Sequence, residues 1–167
     1  MSKALSLDCS INDVGFATLQ ISYDEQEKQK AFDWSYGVWH LEGDSILQRC
    51  RDLCHYIQQT QNDDFTDLLI EWPMFYESTK GQIAAQQSYT INLACVGAYV
   101  AGFFALPVDR IRLITAPQWK GNASKAVTAR RFFRRFDVNS LHVDHNAVDA
   151  CMMLLAEAEK DGWLMPI

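Results

Sequence analysis

The chain opens on an alternation. Leu5 and Leu7 stand between Ser6 and Asp8, a period of two that predicts a strand with one face toward a core. Asn12 and Asp13 carry turn chemistry, and residues 15–21 resume extended structure, so residues 3–21 predict a hairpin. An acidic, Gln-rich loop is expected at 24–30. Residues 32–41 alternate again, with Phe32, Trp34, Tyr36 and Val38 before Trp39, and predict a third strand. A turn and helix cap at 42–45 lead into 46–59, whose apolar residues at 46, 47, 50, 53, 54 and 57 form a helical stripe. A polar connection follows at 62–66. Leu68, Leu69 and Ile70 make a short continuous apolar run, the pattern of a central strand buried on both faces. Trp72-Pro73 breaks that strand into a loop at 74–81. Residues 82–106 predict a long helix rich in Ala and Gly, stopped by Pro107. A strand is expected at 108–114, a loop at 115–125 and a basic helix at 126–136. Residues 141–146 open a last helix, 147–160, whose apolar side carries Val148, Cys151, Met152, Leu154 and Leu155.

Three meander strands followed by alternating helix and strand predict an α/β fold with a mixed five-stranded sheet, part antiparallel. Ligands gather at strand ends in such sheets. Asp8 ends the first strand and Glu71 closes the buried run, each where a core strand would carry another apolar residue. A carboxylate there needs a cation, a donor or a metal. The competing reading is a turn-initiating acid. Asp149 on the last helix is a third acid that could lie with them.

Composition narrows this. With 167 residues and 49% hydrophobic positions, the chain is expected to be one domain, 1–167, with a sizeable core. No apolar run has membrane-span length, so no membrane partner is expected, and the start has no signal-peptide layout, which points to the cytoplasm. The five cysteines are scattered without a C-x-x-C, as for free thiols. Cys50, Cys54 and His55 share helical spacing but lack a second ligand pair for zinc, so buried helix cysteines are expected. The net charge of −6 argues against nucleic acid until its distribution is seen. Residues 110–135 hold eight Lys or Arg and no acid; the rest holds 7 bases and 21 acids. This segregation predicts a basic footprint for a polyanion, with Arg130 and Arg134 as DNA contacts. The bland alternative is a solvated arginine face. Acids on two central strands and a late helix suit hard divalent cations, and two ions about 3.5–4 Å apart serve phosphodiester hydrolysis.

Four stretches carry a resemblance: DCSINDVGFA, LLIEWPMFYESTKG, ITAPQWKGNASK and DHNAVDACMMLLA. Their order and spacing, over about residues 4–158, resemble RuvC-like Holliday junction resolvases of the RNase H-like superfamily. The P-Q-W-K-G-N-x-x-K loop looks most like phage-encoded members, and a bacterial cell or phage-infected host would be the setting. The resemblance implies an RNase H-like fold with helices on both faces of the sheet. It implies a homodimeric, Mg²⁺- or Mn²⁺-dependent endodeoxyribonuclease, with two ions per site, that acts on four-way DNA junctions. Asp8, Glu71 and Asp149 match metal-holding catalytic acids, and Lys120 and Lys125 match lysines near the scissile phosphate. The loop after Glu71 offers Phe75 or Tyr76 as a junction wedge and Lys80 as a further DNA contact. The family's fourth ligand lies three residues before the last aspartate, where this chain has Asn146. Asp144 and its rival His145 are both retained for that role; four residues apart, His145 shares a helix face with Asp149. The small-residue helix at 82–106 is the expected dimer seam. A catalytically silent DNA-binding module and a nuclease for RNA–DNA hybrids or flaps remain alternatives that fold alone does not separate.

Overall fold

The computed structural model describes residues 2–24, 29–60, 65–74, 88–137 and 143–163. Its centre is a five-stranded sheet in the order β3-β2-β1-β4-β5. Strands β1 (Ser2–Cys9), β2 (Asp13–Asp24) and β3 (Gln29–His40) form an antiparallel meander. β4 (Asp67–Glu71) lies parallel to β1, and β5 (Ile111–Ile114) parallel to β4. The continuous run of β4 is buried on both faces, as its composition predicts. Five helices are described: α1 (Ile46–Thr60), α2 (Tyr89–Phe103), α3 (Ala116–Lys120), α4 (Lys125–Phe136) and α5 (His145–Lys160).

The sheet separates two cores. Leu5, Leu7, Leu68 and Ile70 pack with Leu53 of α1 and with Val96 and Val100 of α2. Ala4, Leu69 and Ile114 pack on the other face with Phe132 of α4 and Met153 and Leu154 of α5. Because side chains alternate along a strand, Asp8 follows Ala4 and Ser6 onto the α5 face, and Glu71 follows Leu69 onto the same face. That parity brings the two acids to one side of the sheet.

Two glycines set how close the helices come. A Cβ on Gly15 would sit 2.0 Å from the Asn146 carbonyl oxygen, so the first turn of α5 rests directly on β2. A Cβ on Gly97 would meet Ile70 Cγ2 and the Trp72 ring at 3.3 Å, which seats α2 on the end of β4.

Several boundaries differ from the sequence reading. The hairpin strands are longer than expected, and β3 begins at Gln29 rather than 32. Of the helix expected at 82–106, residues 82–87 lie outside the described residues, and α2 stops at Phe103, with Phe104 extended (φ −78°, ψ 121°). Pro107 disfavours helix in the residue before it, which helps draw the end back. The strand expected from 108 begins at Ile111, because Val108–Arg110 forms a 3₁₀ turn in which the Arg110 N–H donates to the Pro107 carbonyl at 2.9 Å. Inside the loop expected at 115–125 lies α3. Its signal was legible: Thr115 and Gln118 have capping-box spacing, and Gln118 Oε1 accepts from the Thr115 N–H at 2.7 Å. Four of the five cysteines, Cys9, Cys50, Cys54 and Cys151, are buried. Among the described residues, no helix is long and apolar enough to cross a membrane.

Candidate active site at the carboxyl ends of the central strands

β1 and β4 run in register with Leu7 opposite Ile70, which puts Asp8 and Glu71 side by side where the strands end. The antiparallel partner of Asp8 is Gly15, the residue on which α5 rests. The Asp144 carboxylate caps α5 by accepting from the Asn146 N–H at 2.8 Å. One turn further, Asp149 is held at 6% exposure on the sheet side of the helix. α3 delivers the remaining groups from the end of β5. Trp119 Nε1–H donates to Glu71 Oε2 at 3.1 Å, and Lys120 Nζ donates to Asp149 Oδ2 at 2.9 Å. The Lys120 ammonium also lies 4.6 Å from the centroid of the Trp119 ring.

The charges are unevenly balanced. Burial pushes the Asp8 carboxyl up, and the neighbouring Glu71 and Asp149 charges push it further; Lys120 and Lys125 pull back, and the net value is about 8. Burial also raises Glu71, against the pull of Lys120 and the Trp119 hydrogen bond. For Lys120, burial disfavours the ammonium, but the Asp149 hydrogen bond and the surrounding carboxylates outweigh it, so its value is raised. Three acids therefore share one partly desolvated site in which, among the described residues, Lys120 is the ammonium bound closely.

An all-carboxylate donor set whose repulsion is only partly relieved suits a hard divalent cation, and Lys120 stands in for part of that positive charge. As the side chains lie, no three His, Cys, Asp or Glu groups among the described residues enclose a metal position. A cation held by Asp149 would take the place of the Lys120 ammonium. The donor chemistry fits the metal that the sequence reading expects.

Of the sequence-derived site residues, the structure brings together Asp8, Glu71, Asp149 and Lys120, with Lys125 near enough to act on the Asp8 charge. Asp144 serves as the α5 cap, with His145 Nδ1 3.7 Å from its Oδ1; the charges that act on Asp8 come from Glu71, Asp149, Lys120 and Lys125. Arg130 and Arg134 are exposed on α4. Phe75, Tyr76 and Lys80 lie outside the described residues. Two bases leave the expected basic footprint: Arg110 pairs with Asp67 at 3.2 Å, and Arg112 pairs with Glu157 at 3.3 Å and with Asp161. They alternate with Ile111 and Leu113 in the sequence, and that pattern does not reveal acids brought in from α5 and β4. Trp119 was missed as a site residue; its only signal was its place between the Thr115–Gln118 cap and Lys120.

No protein-family model matches the chain, and no curated protein matches it. Solved structures do. The chain is similar to RuvC of Thermus thermophilus in complex with a Holliday junction substrate, at TM-score 0.62 and 13% identity, covering 96% of each chain. A second Thermus thermophilus RuvC structure matches at TM-score 0.59 and 14% identity, over 95% of this chain and 96% of that one. The fold is that of RuvC, with a mixed five-stranded sheet and helices on both faces.

Proposed function

We propose that this protein is a metal-dependent, structure-selective endodeoxyribonuclease that resolves four-way DNA junctions by phosphodiester hydrolysis. The observation that carries the reading is the meeting of Asp8, Glu71 and Asp149 around Lys120 at the carboxyl ends of β1 and β4, in the fold of a RuvC solved with junction DNA. Asp8, Glu71 and Asp149 are the residues that would hold Mg²⁺ or Mn²⁺. Bound there, the cation supplies an activated water and stabilises the leaving oxygen. Trp119 orients the Glu71 carboxylate and favours its ionised form. Lys120, once released from Asp149, and Lys125 hold the strand by its phosphate. Asp144 or His145 completes the ligand set at the start of α5.

Cutting two strands symmetrically calls for two copies of the chain. α2 contains no charged residue. Ile91, Cys95, Tyr99 and Phe103 recur at helical spacing on its exposed side, beside the small Ala98 and Gly102, and that side is our candidate for the seam. Gly97, expected at the seam, faces Ile70 and Trp72 of its own chain.

The test is incubation of purified protein with a four-way junction, a linear duplex and an RNA–DNA hybrid, each with Mg²⁺, Mn²⁺ and chelator. Paired nicks in the junction alone, abolished by chelator, are expected. Preferred cutting of the hybrid would assign another nuclease activity, and tight junction binding without nicks under any metal would assign a silent binding module.

A further inference from the structure

Beside the acidic site, and sharing Lys120 with it, a cleft of about 410 Å³ opens between α3, α4 and α5. That volume falls within the range of small-ligand sites, roughly 300–1,000 Å³. Its floor is one face of α5, with Met152, Leu155 and Glu159 at helical spacing. Its walls carry Trp119 from α3 and Arg131 and Arg134 from α4. Among the described residues, neither arginine makes an ion pair or hydrogen bond. The cleft therefore combines a largely apolar floor, an aromatic wall and two guanidiniums that have no ion-pair or hydrogen-bond partner among the described residues. Guanidiniums match phosphate in geometry and charge, and an aromatic face accepts a base of any identity.

We propose that this cleft receives one unstacked nucleotide of the strand being cut, with its base against Trp119, Met152 and Leu155 and its phosphate on Arg131 and Arg134. Lys120 connects the two places, since it binds Asp149 at 2.9 Å and also lines the cleft. A strand held at the acids by Lys120 continues into the cleft. Glu159, the acid among the described lining residues, can accept from an exocyclic amine of a base. The inference rests on the proposed DNA-cutting role, but it concerns how a strand is held and is readable without cleavage.

The test places 2-aminopurine at successive positions of a four-way junction and reads its fluorescence with full-length protein in chelator. Wild-type protein is expected to change the signal sharply at one position, where the base leaves the stack. Arg131→Ala/Arg134→Ala and Ala156→Trp, which fills the floor, are expected to abolish that change, the arginine pair also weakening binding about tenfold. The charge-matched Arg130→Ala/Arg135→Ala, off the cleft, is expected to weaken binding yet keep the signal. Absence of any position-specific change, or its persistence in both cleft variants, overturns the proposal. So does tight binding of free dAMP that junction DNA fails to displace, which would make the cleft a site for free nucleotide. Junction cleavage measured in parallel reports on the proposed activity separately: nicks without the signal defeat the cleft alone, and the signal without nicks defeats the activity alone.

Discussion

β4 carries an acid at each end, and the two meet opposite fates. At its start, Asp67 is 1% exposed yet engaged on both oxygens: Thr66 Oγ1 donates to one at 2.8 Å and Arg110 to the other at 3.2 Å. Arg112 reaches from β5 to Glu157 and Asp161 at the end of α5, and Lys160 closes on Glu157. At the other end of the strand, Glu71 stands beside Asp8 and Asp149 with Lys120 bound to Asp149, and burial together with the neighbouring carboxylates lifts the Asp8 carboxyl to about 8. α5 spans both places, with Asp149 in its early turns and Glu157 two turns later. Buried acids that are fully paired tie elements together. Buried acids that are left crowded store repulsion that a cation can relieve. The first end reads as architecture and the second as a site prepared for a ligand.

The sharpest way to break this comparison is Asp8→Asn. Junction cleavage is expected to fall by about 10³-fold or more, with junction binding kept or tightened. The same variant tests the stored repulsion. The Asp8 value in the folded protein, about 8, lies above its ordinary 3.8, so the folded chain keeps this proton where the unfolded chain has lost it. Stability without metal should therefore decline as pH rises from about 4 to about 8, and Asp8→Asn should remove that part of the slope. Its melting temperature in chelator at pH 8 should rise by on the order of 2–4 °C for each kcal/mol of desolvation and repulsion removed. Equal pH slopes for the two proteins would mean that burial and the neighbouring carboxylates do not raise Asp8.

Arg112→Met tests the opposite end. It leaves Glu157 and Asp161 without their guanidinium and is expected to cost about 3 kcal/mol in urea denaturation, while cleavage per folded molecule stays near wild type. Cleavage lost in proportion would erase the distinction between the two ends. Gly15→Ala touches the link between them. Its methyl cannot share space with the Asn146 carbonyl, so α5 must lift and carry Asp149 from Asp8. A stability loss of about 1–3 kcal/mol is expected, together with weaker metal-dependent cleavage that added metal partly restores. Full activity in this variant would show that α5 has no need of close contact with β2.

Trp119→Phe keeps a ring and removes the donor to Glu71. A loss of about tenfold in kcat is expected, as for one hydrogen bond to a charged group. Because that bond holds the Glu71 value down, the acid limb of the pH–rate profile should move to higher pH. An unmoved limb would reduce Trp119 to a packing residue. The smallest effect is expected of Asp144→Ala, about 1 kcal/mol of stability for a lost helix cap. If its cleavage instead falls a hundredfold while His145→Ala stays active, Asp144 is a metal ligand as well as a cap, and the reverse pattern assigns His145.

Much of this was legible in the chain before folding. The alternation at residues 5–8 and the apolar run at 68–70 marked the two central strands, and acids at their ends stood out because burial there is costly. That Asp8 and Glu71 share a face follows from the period of two once β1 and β4 are neighbours. The signal for the short α3 lies in the spacing of Thr115 and Gln118, inside a segment whose Pro117, Gly121 and Asn122 favour a loop. Other features had no local signature. Arg110 and Arg112 looked like part of a basic footprint, and only the pairing of β5 with β4 and the packing of α5 across the sheet turned them into partners of Asp67, Glu157 and Asp161. Trp119 became a donor to Glu71 only when β5 placed α3 beside the end of β4. Local pattern sets which residues lie on which face, because backbone geometry repeats every two or every 3.6 residues. Which charges end up paired and which stay crowded depends on groups dozens of residues apart, and that was decided only when Gly15 let α5 settle onto β2.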